Sequence, residues 1–467
     1  MIHDFLVARL ALAILLVAGR MQQTAAAPNS SIQQSVPVRV PGVTYVKSLG
    51  GIDEYTIDSN GLDVLLVPEH SVPVVTFQVT YRVGSRNEVT GATGATHLLE
   101  HLMFKGSERF NDAAGDSVKQ YLERAGGQYN ATTSFDRTNY YATIGPDKLE
   151  GYIAIEADRM RNLWLHESDR QSEMTVVRNE YERGENNSTY ALTKEVYATA
   201  FQAQPYHHMT IGWRSDIEKV PIEKLRAFYE TFYWPNNATL TIVGDVDSTR
   251  TLELVKKYYG PIPHSPNPIP QIYTEEPPQQ GPRRVVLKRP GQVGVVMIAY
   301  KGPGGRDADI PALDVLSNIM SSGQNSRFSR ALTDQSLTTS IGAGIESMRD
   351  PGLYIVSAEL APNVPHTQVE PKLLAEIDRI RRDGVTQEEV GRVINQVRAS
   401  QAFRRDGTAG IAAALNEAVA AGDWTLYATR LDGISKVSAA DVQRVARKYL
   451  NEDQSTTGWF VPTVDSK

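Results

Sequence analysis

The chain aligns on itself. Leu225 to Asp245 lies without a gap on Val442 to Pro462, and each stretch reads as a helix, an Asn/Asp-rich turn and a terminal strand. The two strands are Thr239-Leu240-Thr241-Ile242-Val243 and Thr456-Thr457-Gly458-Trp459-Phe460. Strand pairs recur further upstream as well. Val64–Val67 with Val74–Tyr81 in the first half answers to Val285–Leu287 with Val293–Tyr300 in the second, all alternating or running apolar as strands do. Between the halves, residues 261–283 hold eight of the chain's 25 prolines and little periodicity. Prolines at that density make an extended connector. At 467 residues the chain is also too long for one ordinary core. The expectation is two related α+β domains, over 40–260 and 284–467, joined by a proline-rich linker at 261–283.

Only the first half carries an evident chemical motif, His97-Leu98-Leu99-Glu100-His101. On a helix, positions i and i+4 lie one above the other, so the two imidazoles face the same way. That pair is a ready site for a divalent metal, and zinc is the commonest metal held by imidazole and carboxylate. Glu100 lies on the same side, displaced along the helix, and reaches a water at the metal without being a ligand. The plain alternative is an exposed polar helix face. A zinc site needs a third protein ligand and leaves a fourth position open. Downstream, Glu173 and Glu180 stand two helical turns apart on one face. That spacing lets one carboxylate bind metal while the other accepts a hydrogen bond from a ligand imidazole. Glu182 and Glu185 are nearby, and spacing alone does not choose among the four.

A net charge of −6 and a pI near 5.9 argue against a dedicated nucleic-acid surface. There are no cysteines, which removes disulfides, thiolate ligands and a cysteine nucleophile together. At the N-terminus, Arg9 precedes the apolar run Leu10–Gly19, which is too short to span a bilayer comfortably. Thr24-Ala25-Ala26-Ala27 follows, so residues 1–26 read as a cleavable secretory signal, cut after Ala26. A retained anchor and an organellar transit peptide are the competing readings. The latter is weakened by Asp4 and by sparse arginines. The expectation is a periplasmic or secreted bacterial protein with no stable membrane span after processing.

A wider set of segments carries a resemblance. Gly84-Ser85-Arg86-Asn87-Glu88 precedes the His97–His101 motif, and Met103-Phe104-Lys105-Gly106-Ser107 follows it. Gly126–Thr132, Asp136-Arg137-Thr138-Asn139-Tyr140, Pro205-Tyr206, Ile211-Gly212 and Tyr233–Ala238 continue the pattern. Taken together, these segments resemble the inverzincin zinc peptidases of the pitrilysin and insulin-degrading enzyme family. The likeness is strongest to half-length members related to mitochondrial processing peptidase. The resemblance implies mixed sheets with helices packed on one face, and one Zn2+ per chain held by His97, His101 and Glu180. It makes Glu100 the general base, with Glu173 supporting a ligand histidine. It also makes the strand around Asn130 and Ala131 the edge to which an extended peptide adds.

The second half has no histidine where the motif would recur, at Asp307–Leu316. In related enzymes this half carries an arginine and a tyrosine that hold the substrate. Arg327 stands at the arginine position, whereas Ser336-Leu337-Thr338-Thr339-Ser340 contains no tyrosine. The resemblance therefore implies a peptide substrate and a heterodimer with a pitrilysin-like subunit that supplies the Arg/Tyr pair, or otherwise a homodimer. The second half would close the chamber or contact that partner. The leading expectation is an exported zinc metalloendopeptidase. The alternatives are a non-catalytic scaffold subunit of the same fold and a zinc enzyme acting on a non-peptide amide or assisting cofactor maturation.

Overall fold

A computed structural model describes residues 37–404 and 407–463, the side chains of 401–404 excepted. The expected signal segment, 1–26, lies outside the described residues. Among the described residues no helix is long and apolar enough to cross a membrane.

The first half builds a seven-stranded sheet from β1 (Val43–Leu49), β2 (Ile52–Ile57), β3 (Leu62–Pro68), β4 (Val75–Tyr81), β5 (Gln128–Thr133), β6 (Thr138–Ile144) and β7 (Ala238–Gly244). Its order is β1-β2-β3-β7-β4-β6-β5, antiparallel except for the β3–β7 pair. The second half builds a five-stranded sheet from β8 (Arg283–Pro290), β9 (Val295–Lys301), β10 (Thr338–Ile345), β11 (Leu353–Leu360) and β12 (Ser455–Thr463). Its order is β10-β11-β9-β12-β8, again with a single parallel pair, β12–β8. The self-alignment holds element by element. It carries helix Ile222–Phe232 onto Ala439–Tyr449, the turn Pro235–Asn237 onto Glu452–Gln454, and the start of β7 at Ala238 onto Ser455. The connector 261–282 forms neither helix nor strand. It is pinned where Glu276 accepts the N–H groups of Gln202, Ala203 and Gln204 at 2.9–3.1 Å.

Strand β4 shows how the sheets are covered. With side chains alternating between faces, Val75, Phe77, Val79 and Tyr81 enter the main core of the first half. Thr76, Gln78 and Thr80 point the other way and read as a solvent face, yet all three are buried. The helix Thr408–Ala420, from the second half, lies on them. Thr76 and Thr408 share a hydrogen bond of 2.8 Å, Gln78 donates to the Ala412 carbonyl at 3.2 Å, and Thr80 donates to Asn416 at 2.7 Å. The exchange is reciprocal. Helix Ser188–Ala200, from the first half, packs Ala191, Leu192, Val196 and Tyr197 on Val295, Met297, Ala299 and Phe460 of the second sheet. Gly458 permits this approach, since a Cβ there would come within 2.6 Å of Val196. Helices on one face therefore describes only what each half supplies to its own sheet. The opposite face of each sheet is closed by a helix from the other half, because strands buried on both faces need cover on both.

Candidate metal centre

The motif histidines ride on a short helix, Ala95–Leu102, whose apolar side is Leu98, Leu99 and Leu102 in the core. Its start is tightly specified. Gly94 has φ +82°, a left-handed conformation, and a Cβ there would meet the Ile211 carbonyl oxygen at 2.4 Å. The Glu88 carboxylate accepts the N–H groups of Gly94 and Thr96, each at 2.8 Å. A carboxyl at this end satisfies donors that the helix itself leaves unpaired. Burial of Glu88 pushes its proton affinity up, to a pKa of about 8. His208, buried beside it at 3.8 Å, is held down to about 4 by its own burial.

The acidic helix runs Glu167–Glu185, and of its residues only Val177 is buried. Glu173 and Glu180 flank Val177 on the same face, so docking that valine brings both carboxylates to the histidines. Glu180 Oε2 lies 3.6 Å from His97 Nε2 and 3.7 Å from His101 Nε2. These three residues offer ligand atoms that all lie within 4.8 Å of one another. Two tests say that the arrangement suits a metal. Glu180 Oε2 is buried and meets no hydrogen-bond donor among the described residues. The separations are also too long for hydrogen bonds, and close to the roughly 3.4 Å expected between ligand atoms on tetrahedral zinc. Glu100, Glu173 and Glu180 together, with Lys105 on Glu173, leave a deficit of positive charge that a divalent cation would fill.

The supporting contacts differ between the two histidines. Glu173 Oε2 lies 3.0 Å from His101 Nδ1, and Glu173 also pairs with Lys105 at 2.5 Å. The His101 bond, with Lys105 behind it and burial opposing, holds the Glu173 carboxyl down to about 2. Burial disfavours charge on His101, but the Glu173 hydrogen bond and the surrounding carboxylates outweigh it and raise its pKa. His97, buried beside the other imidazole, is pushed down to about 3 and is neutral near pH 7, as a metal ligand must be. Its Nδ1 is buried without a partner among the described residues.

Glu100 is buried, and that burial raises its pKa above the usual carboxylate value. Thr133, at the end of β5, donates to Glu100 Oε2 at 2.5 Å. Sequence alone assigned no role to Thr133, nor to Glu88 and Lys105, although the latter two lie in the segments that carry the resemblance. Period-two alternation along β5 is the signal that could have turned Thr133 toward the motif helix. Asn130 and Ala131 lie on β5, the outermost strand of its sheet, paired with Tyr141 and Tyr140 of β6 and with no strand beyond among the described residues. Arg327 is engaged within its own half. It donates to Glu389 through Nε and Nη2 at 2.9 Å and to the Gly384 carbonyl at 3.2 Å. No tyrosine occupies 336–340, and β10 begins there, at Thr338.

Comparison with known proteins gives the family. A family profile described as insulinase (peptidase family M16) matches residues 63–212, a range that includes His97, Glu100, His101 and Glu180. A second, described as the peptidase M16 inactive domain, matches 219–397. The chain is 29% identical over 408 residues to the zinc protease PqqE of Helicobacter pylori, covering 86% of this chain and 91% of that one. It is 26% identical to the beta subunit of mitochondrial-processing peptidase from Lentinula edodes, covering 86% and 88%. Among solved structures, a protease from Helicobacter pylori superposes with a TM-score of 0.83 at 28% identity, over 91% of this chain and all of that one. Pitrilysin shares the fold, with a TM-score of 0.72 at 16% identity, and this chain covers 47% of its length. With one profile on each half, and the two together spanning most of the described structure, the chain belongs to peptidase family M16.

Proposed function

We propose that this chain is an exported zinc metalloendopeptidase that hydrolyses peptides or unfolded segments inside a closed chamber. The observation that carries this reading is the convergence of His97 Nε2, His101 Nε2 and Glu180 Oε2 beside the buried Glu100 carboxylate. A zinc ion held there supplies Lewis acidity to a water and to the scissile carbonyl. Glu100 takes the attacking water's proton and returns it to the leaving amine nitrogen. Its buried setting raises its proton affinity, against the Thr133 hydrogen bond and the nearby His101 and Arg137, which favours taking up a proton. Thr133 occupies Oε2 and so leaves Oε1 for that exchange. Glu173 fixes the ring of His101 and its tautomer. The peptide is an added strand on the open edge of β5, alongside Asn130 and Ala131, where backbone pairing tolerates many sequences. The zinc protease relatives support the reading.

The leader-like run after Arg9 supports export to the periplasm or beyond. Two such domains alone would enclose a bound peptide poorly, which favours pairing into a closed shell. The absent tyrosine and the commitment of Arg327 to Glu389 support a heterodimer whose partner carries the Arg/Tyr pair. Light scattering and peptide assays on the chain alone decide this, and full activity from a homodimer or monomer removes the heterodimer. The non-catalytic scaffold is disfavoured by the complete ligand set. The reading as a whole is tested by zinc content together with cleavage of a quenched peptide library. One zinc per chain is expected, with cleavage abolished by chelation and restored by zinc. A zinc-loaded protein that cleaves no peptide, alone or paired, contradicts it.

A further inference from the structure

The second half reaches the catalytic edge by a route that involves neither Arg327 nor a tyrosine. Glu417 lies in the last turn of Thr408–Ala420, the helix that closes the far face of the first sheet. Its Oε1 accepts from Arg137 Nη2 at 2.5 Å, across 280 residues of sequence. Arg137 belongs to the turn joining β5 to β6, and its side chain is only 3% exposed. Its other terminal nitrogen, Nη1, is aimed at the end of β5. It donates to the Thr132 carbonyl at 3.1 Å, to Thr132 Oγ1 at 2.5 Å and to Asn139 at 2.9 Å. Thr132 in turn donates to Asn139 at 2.5 Å. Successive strand residues face opposite ways. Thr132 therefore looks toward the exchanged helix, and Thr133, the next residue, looks toward Glu100 and donates to it.

We propose that Glu417 and Arg137 are positioning residues for hydrolysis, forming a strut by which the second half fixes the end of β5 and, through Thr133, orients Glu100. The inference rests on the reading of Glu100 as the general base. Its physical content is that a buried guanidinium keeps one rotamer only while acceptors hold its terminal nitrogens, and since Arg137 Nε meets no acceptor among the described residues, Nη1 and Nη2 carry that task alone. Three of its acceptors belong to the first half, and Glu417 supplies the charged fourth. Without it the guanidinium is free to turn toward other acceptors, and Thr132 loses the clamp that places its neighbour. The strut gives the half that lacks metal ligands a direct effect on chemistry. It also sets the height of the edge strand on which a peptide would pair.

The test is a double-mutant cycle in the full chain, in whichever assembly cleaves the quenched peptide. Glu417 is half exposed, so Glu417→Ala is compatible with folding, and zinc content should stay at its wild-type value while the unfolding midpoint falls modestly, because Arg137 loses its charged partner. The expected loss is about tenfold in kcat with little change in KM, the scale of a small misplacement of a catalytic group. Glu417→Gln, which keeps an acceptor oxygen, should recover most of it. Thr133→Val should cost a similar factor, and the double variant should be no slower than Thr133→Val alone, since both act through one contact. Amide exchange reads the strut without catalysis, and Glu417→Ala should speed exchange in β5 while leaving β3 unchanged. Additive losses, a kcat within about twofold of wild type, or a loss no larger than the unfolded fraction explains would each overturn the strut. Glu100→Gln separates the two claims. If it is inactive while the cycle is additive, only the strut fails, and if it turns over normally, both fail.

Discussion

Replacing Glu173 with alanine tests how much the metal centre owes to a residue that binds no metal. The change removes the acceptor 3.0 Å from His101 Nδ1 and the partner of Lys105. Glu173 is held ionised down to a pKa of about 2, so the lost bond is charge-assisted throughout the working range. Hydrogen bonds to charged groups contribute about 1.5–3 kcal/mol. Its side chain is 12% exposed, which places it away from the screened limit of surface pairs. Spent on orienting one of three ligands, that energy corresponds to a zinc affinity weaker by about 10–100-fold. Lys105, 25% exposed, turns to solvent and adds little. The assay is competition with a chromophoric chelator near neutral pH, with Lys105→Met as the control. Glu173→Ala should fall in the stated range and Lys105→Met within about threefold of wild type. Equal losses in the two variants, or none in Glu173→Ala, would refute the assignment of Glu173 to His101.

Glu180→Gln should lower zinc affinity by on the order of a hundredfold, because one of three ligands is lost. Full occupancy in that variant, read by metal analysis, would move the third ligand to Glu173. In the second half, burial of Asp309 favours its neutral form, but Lys448, Arg444 and Tyr449 at 2.7–2.9 Å outweigh it and hold the carboxyl down to about 2. A depressed folded-state pKa stabilises above the unfolded value, near 4, and the gain disappears as pH falls through about 2. Asp309→Asn should therefore cost about 1–2 kcal/mol in urea unfolding near pH 7, discounted for the exposed cations, and only a small fraction of that near pH 2. A cost that persists undiminished in acid would assign the effect to packing instead.

Much of the site was legible because its chemistry is local. His97, Glu100 and His101 fall within one helical turn, and Glu173 and Glu180 lie on one face of another helix, so helical geometry alone groups each set. Choosing Glu180 over its acidic neighbours needed the family resemblance, and in the structure it is the docking of Val177 that selects the face. The repeat was legible for the same reason, since a duplicated helix, turn and strand keep their spacing. What did not show was anything that depends on the other half. Thr76, Gln78 and Thr80 alternate with apolar residues as a wetted sheet face would, and only the exchanged helix makes them buried. Period-two patterns report that one face is polar, and they do not report whether that face meets water or hydrogen-bonding side chains. The Glu88 cap, the Thr133 bond to Glu100 and the Arg137–Glu417 pair are contacts of the same kind, set by tertiary placement rather than spacing.

In the proposed mechanism Glu100 performs the proton transfers beside a zinc it does not bind. The most direct measurement is zinc stoichiometry and peptide turnover of Glu100→Gln beside wild type, prepared in the same assembly. One zinc per chain is expected in both, with an unchanged unfolding midpoint and turnover lower in Glu100→Gln by on the order of a hundredfold or more. Near-normal turnover with zinc bound would contradict that mechanism, and loss of the metal from Glu100→Gln would make Glu100 a ligand rather than the base.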